Sequence, residues 1–261
     1  MLEQLLATNL FHFLLVFARL SIVFYLMPGV SAGYVPARFR LILAVLITLI
    51  VLPVIKSSLP PQPASAADLV SLIVIETLIG GFMAGLIQIV MGTLMLAGEV
   101  ISNATGLTNA FVDDLVSEEQ TAIVIGLLNI VAVVLIFSSG MHQLMFAAMV
   151  DSYSLLRPGE SLMTGDILNI VSNMFNQAFY MGLKLASPFL MFELLFQFAN
   201  GVLSRLSPQL NVFFVALPAQ NLIGFAILMI SLPTLLMYFL GFFENSLENF
   251  LSPGAAINGR G

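Results

Sequence analysis

The chain alternates between long apolar segments and short polar connectors. A bilayer core about 30 Å thick needs about 20 apolar residues per helix, whereas the strands of a membrane barrel alternate over about 10 residues. The apolar runs of this chain are continuous, so they predict an all-α, polytopic membrane-type protein of about six helices. The six segments are Leu5–Met27, Leu41–Ile55, Leu69–Gly98, Thr121–Val150, Ile167–Asn200 and Val212–Phe243.

Segments three to six are too long or too interrupted for one simple crossing. Pro188 lies inside the fifth segment, and Pro218 and Pro233 lie inside the sixth. Proline removes a backbone hydrogen bond and clashes with the preceding turn, and in lipid the freed carbonyl needs another partner. Two interpretations stay open: ordinary kinked membrane helices, or helices that pack mainly against other protein subunits.

Composition narrows the class of protein. The 261 residues are 59% hydrophobic and 8% charged, with a mean hydropathy of +1.05, whereas soluble domains are about 25% charged. A water-soluble globule is therefore excluded. The excess of 14 acidic over 8 basic residues, a net charge of −6, argues against nucleic-acid binding. Because there are no cysteines, disulfides and iron–sulfur clusters are excluded as well, and we expect no cofactor.

The connectors do not indicate an orientation in the membrane. With six crossings, each side of the membrane receives three basic residues, so the positive-inside rule gives a tie. One side holds Arg38, Arg40 and Arg205, and the other holds Lys56, Arg157 and Arg260.

Polar side chains inside the apolar segments are expensive in lipid and therefore informative. Asn169, Asn173, Asn176, Tyr180 and Lys184 follow helical spacing and share one face of the fifth segment. We expect the intramembrane polar residues either to hydrogen-bond between helices or to face a wet conduit or a partner subunit. This buried or inter-subunit set comprises Arg19, Glu76, Glu99, Asn173, Asn176, Lys184, Glu193, Gln197 and Asn200.

The connector 106–120 is the most unusual stretch of the chain. It has no basic residue, four acidic residues and one large aromatic residue, Phe111. At membrane depth its backbone would have to face protein or water, and a loop that dips into a pore satisfies that condition. A solvated acidic loop or a cation site are the alternatives.

Catalytic motifs are nearly absent. Ser139 and His142 stand three residues apart, but a nucleophilic pair needs a mutual hydrogen bond and an orienting group. We therefore expect a polar helix end at this position and no enzyme activity.

Residues Ser204–Pro218 read Ser-Arg-Leu-Ser-Pro-Gln-Leu-Asn-Val-Phe-Phe-Val-Ala-Leu-Pro. This stretch resembles the Arg-x-x-Pro-Gln-Leu-Asn-Val-Phe…Pro motif of the FliR family, a component of the flagellar type III export gate whose injectisome counterpart is SctT. Shorter pieces agree in order: Phe17-Ala18-Arg19, Met27-Pro28, Val35-Pro36-Ala37-Arg38, Ala97-Gly98-Glu99-Val100-Ile101 followed by Gly106-Leu107, Gly140-Met141-His142 and Ala186-Ser187-Pro188.

The resemblance implies a fold in which one such subunit completes a helical multi-subunit pore with FliP and FliQ. Residues 1–166 correspond to the FliP-like part, 167–245 to a FliQ-like helical hairpin and 246–261 to a short polar tail of a single export-gate domain. Further implied partners are FlhB, FlhA, rod subunits, unfolded export substrates and the lipid of the bacterial inner membrane, at the flagellar basal body.

The resemblance also implies site residues. The central loop would be the pore plug, with Phe111 as its constriction. The plug set is Gly106, Leu107, Asn109, Phe111, Val112, Asp113, Asp114, Glu118 and Glu119, and the hairpin loop motif is Arg205, Pro208, Gln209, Leu210 and Asn211. A virulence-type injectisome gate and a secondary transporter, which would need two related halves, are the alternative functions.

Overall fold

A computed structural model describes residues 2–31, 33–107, 111–113, 120–159, 164–206 and 212–251. Helices dominate, which confirms the predicted all-α class. Five of them are long and apolar enough to cross a membrane, and the number rises to six if the bent pair α4–α5 counts as one span. The elements in chain order are α1 Leu2–Leu26, α2 Ala37–Ile55, a 3₁₀ turn Lys56–Ser58, α3 Ala66–Thr105, β1 Phe111–Asp113, β2 Gln120–Ala122, α4 Ile123–Ser138, α5 His142–Leu155, α6 Thr164–Leu206 and α7 Val212–Leu251.

Helix α3 is the central element of the fold. It contacts α1, α4, α6 and α7, and its buried residues form much of the apolar core. Small residues allow the close approaches. A Cβ on Gly98 would lie 2.8 Å from the Ile125 side chain of α4, and one on Gly182 of α6 would lie 3.1 Å from the Thr93 carbonyl.

The fourth apolar segment is a bent pair of helices and not one continuous helix. Helices α4 and α5 meet at an angle of 75° across a break of three residues. Gly140 in the break has φ 78°, a conformation that only glycine adopts without cost. The ring of His142, which opens α5, stacks on Phe137, which lies near the end of α4, at a centroid distance of 5.2 Å, so the corner is filled by aromatic contact.

The longest helices exceed one bilayer crossing. Helices α3, α6 and α7 have 40, 43 and 40 residues, or about 60 Å each at 1.5 Å per residue, twice the hydrocarbon thickness. Helices α6 and α7 run through their internal prolines, and their outer faces leave large apolar side chains exposed, among them Phe198, Met229 and Ile230. The fold therefore presents long apolar helices with little cover from the rest of the chain.

Candidate functional site: the base of the central loop and a buried ion pair

Helix α3 ends in a defined cap at the start of the predicted plug. Gly106 has φ 74°, its N–H donates to the Asn103 carbonyl at 3.1 Å, and the N–H of Leu107 donates to the Ser102 carbonyl at 2.9 Å. This is the Schellman arrangement, in which a left-handed residue satisfies the last helical carbonyls. Leu107 is buried. The chain therefore leaves α3 in a fixed direction.

Helix α7 packs against the C-terminal end of α3. Gln220 Nε2 donates to the Ala104 carbonyl at 2.8 Å. Gly224 lies so close to Thr105 that a Cβ would meet its Cγ2 at 2.6 Å, and a Cβ on Gly106 would lie 2.7 Å from Asn221 Oδ1. The base of the loop thus lies clamped between α3 and α7. Gly224 leaves no room for a side chain against Thr105, and the left-handed backbone at Gly106 favours glycine there.

The loop itself contains a short antiparallel ribbon. Strand β1 pairs with β2 through Phe111↔Ala122, Val112↔Thr121 and Asp113↔Gln120, and both strands contact α4. The sequence did not indicate these strands, because three residues are too few for a recognisable alternation. Of the predicted plug residues, Gly106 and Leu107 form the base and Phe111–Asp113 form β1, while Asn109, Asp114, Glu118 and Glu119 lie outside the described residues.

Two of the predicted intramembrane charges pair with each other. Arg19 of α1 donates from Nε to Glu76 Oε2 of α3 at 2.6 Å, and both side chains are fully buried. Gly80, one turn after Glu76, has no room for a Cβ against the Arg19 carbonyl, so the backbones of the two helices touch beside the pair. Burying two ions costs several kcal/mol each and is tolerated only with close geometry and further hydrogen bonds.

Helix α5 and the residue that follows it supply further contacts to the arginine. Arg19 Nη1 donates to Ser152 Oγ at 3.1 Å, and Nη2 donates to the Leu156 carbonyl at 2.9 Å. The guanidinium carbon lies 4.0 Å from the centroid of the Tyr153 ring, a cation–π contact. One arginine therefore ties three helices together. Ser152 and Tyr153 carry no sequence signal that would have identified them, because neither is charged and both lie in an ordinary helical stretch.

The other polar residues of the predicted set are not buried within this chain. Asn173, Asn176, Lys184 and Gln197 are exposed and Glu193 and Asn200 half-buried on α6, while Glu99 is exposed on α3. Lys184 Nζ lies 5.6 Å from the Tyr238 ring centroid of α7. Their inter-subunit role stays a prediction. Arg205 is exposed at the end of α6, and the other residues of the hairpin motif, Pro208–Asn211, lie outside the described residues.

The Ser139–His142 candidate does not form a catalytic pair in the described structure. The Ser139 hydroxyl donates to the Ile136 carbonyl at 3.4 Å, and the His142 ring stacks on Phe137 and meets Phe146 edge-on. Among the residues that the structure describes, no three His, Asp or Glu side chains gather in a group that could hold a metal ion.

Comparison with known proteins gives a consistent result across the chain. The family described as "Bacterial export proteins, family 1" matches residues 10–246. The chain is 30% identical to flagellar biosynthetic protein FliR of Caulobacter vibrioides, covering 90% of this chain and 94% of that protein. It is 29% identical to FliR of Aquifex aeolicus over 92% and 95% of the two chains. It is 27% identical to surface presentation of antigens protein SpaR of Salmonella typhimurium over 85% and 81%.

Proposed function

Since the chain belongs to bacterial export protein family 1, we propose that it is a structural and gating subunit of the flagellar type III protein export channel. The observation that carries the proposal is the end-to-end similarity to proteins named for flagellar biosynthesis, which covers at least 90% of both chains in two cases. In this role the protein forms the export pore with FliP and FliQ, and unfolded flagellar subunits pass through it.

The geometry at the end of α3 supports a plug at the central loop. A plug must stay in position across its pore, so the two ends by which the loop joins the helices should be held firmly. The Gly106 cap and the Gln220–Ala104 hydrogen bond hold one end of the loop, and the β1–β2 ribbon joins the other end to α4. The plug is the loop from Gly106 to Gln120, with Phe111 as its constriction.

The uncovered helices support membership of a larger assembly in the inner membrane. Helices α6 and α7 expose large apolar side chains together with a polar stripe that holds Asn173, Asn176 and Lys184. Lipid alone would satisfy the apolar residues but not the stripe. A hairpin of this kind fits beside FliQ-like helices, with FliP, FlhB and FlhA as further neighbours within the basal body.

The similarity to SpaR, whose name refers to surface presentation of antigens, favours one second candidate. A subunit of a virulence-type injectisome gate would use the same fold and the same plug. The substrates and the partner set would differ.

The plug is tested by shortening the loop without disturbing its ends. Because Asp113 and Gln120 are paired, residues 114–119 can be replaced by Asn-Gly, the two-residue turn that closes an antiparallel ribbon. This removes three acidic residues and leaves the cap and the ribbon in place. We expect the gate to assemble and small-ion leakage across the membrane to rise.

Two measurements separate the parts of the proposal. Co-purification with FliP- and FliQ-like subunits reports assembly, and membrane potential in intact cells reports leakage. A control loop of unchanged length, with residues 114–119 replaced by Gly and Ser, distinguishes loss of the acidic residues from loss of the plug. Because the ribbon retains Phe111, the shortened loop is also combined with Phe111→Ala. Normal assembly with unchanged leakage in that combined variant would contradict the plug, and failure of the unaltered chain to co-purify with these subunits would contradict the gate.

A further inference from the structure

The two ends of the central loop are attached to the fold in different ways. At the near end, the N–H groups of Gly106 and Leu107 donate to carbonyls of α3, and Gln220 of α7 donates to the Ala104 carbonyl. Ala104 and Leu107 are buried, so this end belongs to the packed interior between α3 and α7. We call residues 104–107 the loop base.

At the far end, the loop is attached through the β1–β2 ribbon. Strand β2 leads directly into α4, because Ala122 and Ile123 are consecutive residues. Strand β1 belongs to the loop, and three backbone pairs join it to β2. A two-stranded ribbon is only marginally stable by itself, whereas the loop base is enclosed by helices. The pairing of β1 with β2 is therefore the weaker of the two attachments.

The ribbon determines how far the loop can reach. With β1 paired, the Cα atom of Val112 stays about 5 Å from that of Thr121, and Thr121 lies two residues before α4. Without the pairing, the 13 steps from Leu107 to Gln120 allow a contour length of about 45 Å. Pairing thus keeps the loop beside α4, and separation gives it the reach to move aside.

We propose that the β1–β2 pairing is the latch of the plug: the plug opens when β1 separates from β2, while the loop base stays attached to α3 and α7. The latch rests on the proposed function, because it takes the loop to be the plug. Opening at the ribbon breaks backbone pairs over three residues. Opening at the base would expose Leu107 and remove the donor of the Ala104 carbonyl, and a buried carbonyl without a partner is costly.

Cysteine pairs can lock the ribbon, because the chain contains no cysteine of its own. Val112 and Thr121 face each other across the ribbon, and so do Asp113 and Gln120. Successive opposed pairs have Cα atoms about 4.5 or 5.5 Å apart, and a disulfide spans about 4.4–6.8 Å. We expect the double variants Val112→Cys/Thr121→Cys and Asp113→Cys/Gln120→Cys to form the disulfide on oxidation of the assembled gate.

The first measurement is export of flagellar subunits by cells whose gate carries a double variant, before and after oxidation. The disulfide should abolish export, because β1 can no longer leave β2, and a reductant should restore it. The matched controls are the single-cysteine variants of the same positions, which receive the same oxidant and should export as before.

The second measurement is amide hydrogen exchange in gates jammed by a substrate that is fused to a folded domain. Exchange should become faster at the amides of β1 that pair with β2. It should remain slow at Gly106 and Leu107, whose amides are bonded to α3. Loss of protection at these two amides would overturn the fixed base.

The remaining outcomes separate the latch from the plug. Unchanged export by the fully crosslinked gate would overturn the latch, because the ribbon would then move as one unit. Failure of both cysteine pairs to crosslink would also overturn it, since β1 and β2 would not be opposed in the gate. If the plug itself is wrong, the shortened loop combined with Phe111→Ala causes no leakage, whatever the crosslinks do.

Discussion

Removing Glu76 should destabilise the fold far more than removing any other acid of α3. The Glu76→Gln substitution preserves the shape of the side chain but leaves the buried Arg19 guanidinium without its counter-charge, and both groups are fully buried. Breaking a buried pair from one side costs about 3–5 kcal/mol. The Arg19→Met substitution should cost as much, since it strands the Glu76 carboxylate.

The double variant Arg19→Met/Glu76→Met should be less damaging than the sum of the single variants. Apolar replacement of a whole buried pair is often close to neutral. What remains is the loss of the hydrogen bond to the Leu156 carbonyl, about 1 kcal/mol, and of the Tyr153 contact, up to about 2 kcal/mol. Ser152 still donates to the Met149 carbonyl at 2.7 Å. We therefore expect a total of about 1–3 kcal/mol against about 6–10 kcal/mol for the added single costs.

The measurement is the free energy of unfolding in mixed micelles, followed by circular dichroism for the unaltered chain, the two single variants and the double variant. Glu99→Gln is the matched control, because Glu99 is an exposed acid on the same helix and surface changes usually stay within about 0.5 kcal/mol. Additive single costs would refute the reasoning, because they would mean that the two charges do not depend on each other.

Two further predictions concern the cap of α3. Gly106→Ala should cost about 1–2 kcal/mol for the left-handed backbone, because the nearest atom, Asn221 Oδ1, ends a side chain that can turn aside. Gly140→Ala, which has a similar φ and open space around it, should cost about the same. Thermal unfolding of both variants checks this, and no loss of stability in either would contradict the backbone argument. Gln220→Ala should cost about 1 kcal/mol and speed amide hydrogen exchange at Thr105, and unchanged exchange would contradict the clamp.

The apolar pattern predicted the helices because helix formation depends on residues that are close together in the sequence. Helices α3, α6 and α7 extend beyond the predicted segments at one or both ends, since capping and amphipathic turns continue a helix where hydropathy falls. The fourth segment was predicted as one apolar run because α4 and α5 are both apolar, although the polar helix end expected at Ser139–His142 coincides with the break between them. The ribbon β1–β2 was not predicted, because its pairing is set by the loop ends that α3 and α4 hold in place.

The sequence predicts that Arg19 and Glu76 need partners, because ions in apolar segments are costly. It does not predict that they pair with each other, because 57 residues separate them and no periodicity links two different helices. Only the packing of α1 on α3, allowed by Gly80, determines that they meet. For Lys184 the same reasoning predicted a partner, and the described residues offer it only the Tyr238 ring.

Lys184, unlike Arg19, has no carboxylate partner among the described residues, and this affects what can cover helix α6. A lysine at the centre of a lipid-exposed helix costs about 2.5–3.5 kcal/mol, and the ring of Tyr238 returns only part of that. Helix α6 is also about twice as long as the bilayer is thick, so a stretch of it must lie outside hydrocarbon or be tilted. Water or a second protein chain at the Asn173–Lys184 face removes the cost in either case.

An acidic residue on a neighbouring subunit would pair with Lys184 as Glu76 pairs with Arg19. Lys184→Glu should then block co-purification with that subunit, while Lys184→Met should weaken it less, since a charge reversal adds repulsion to the lost attraction.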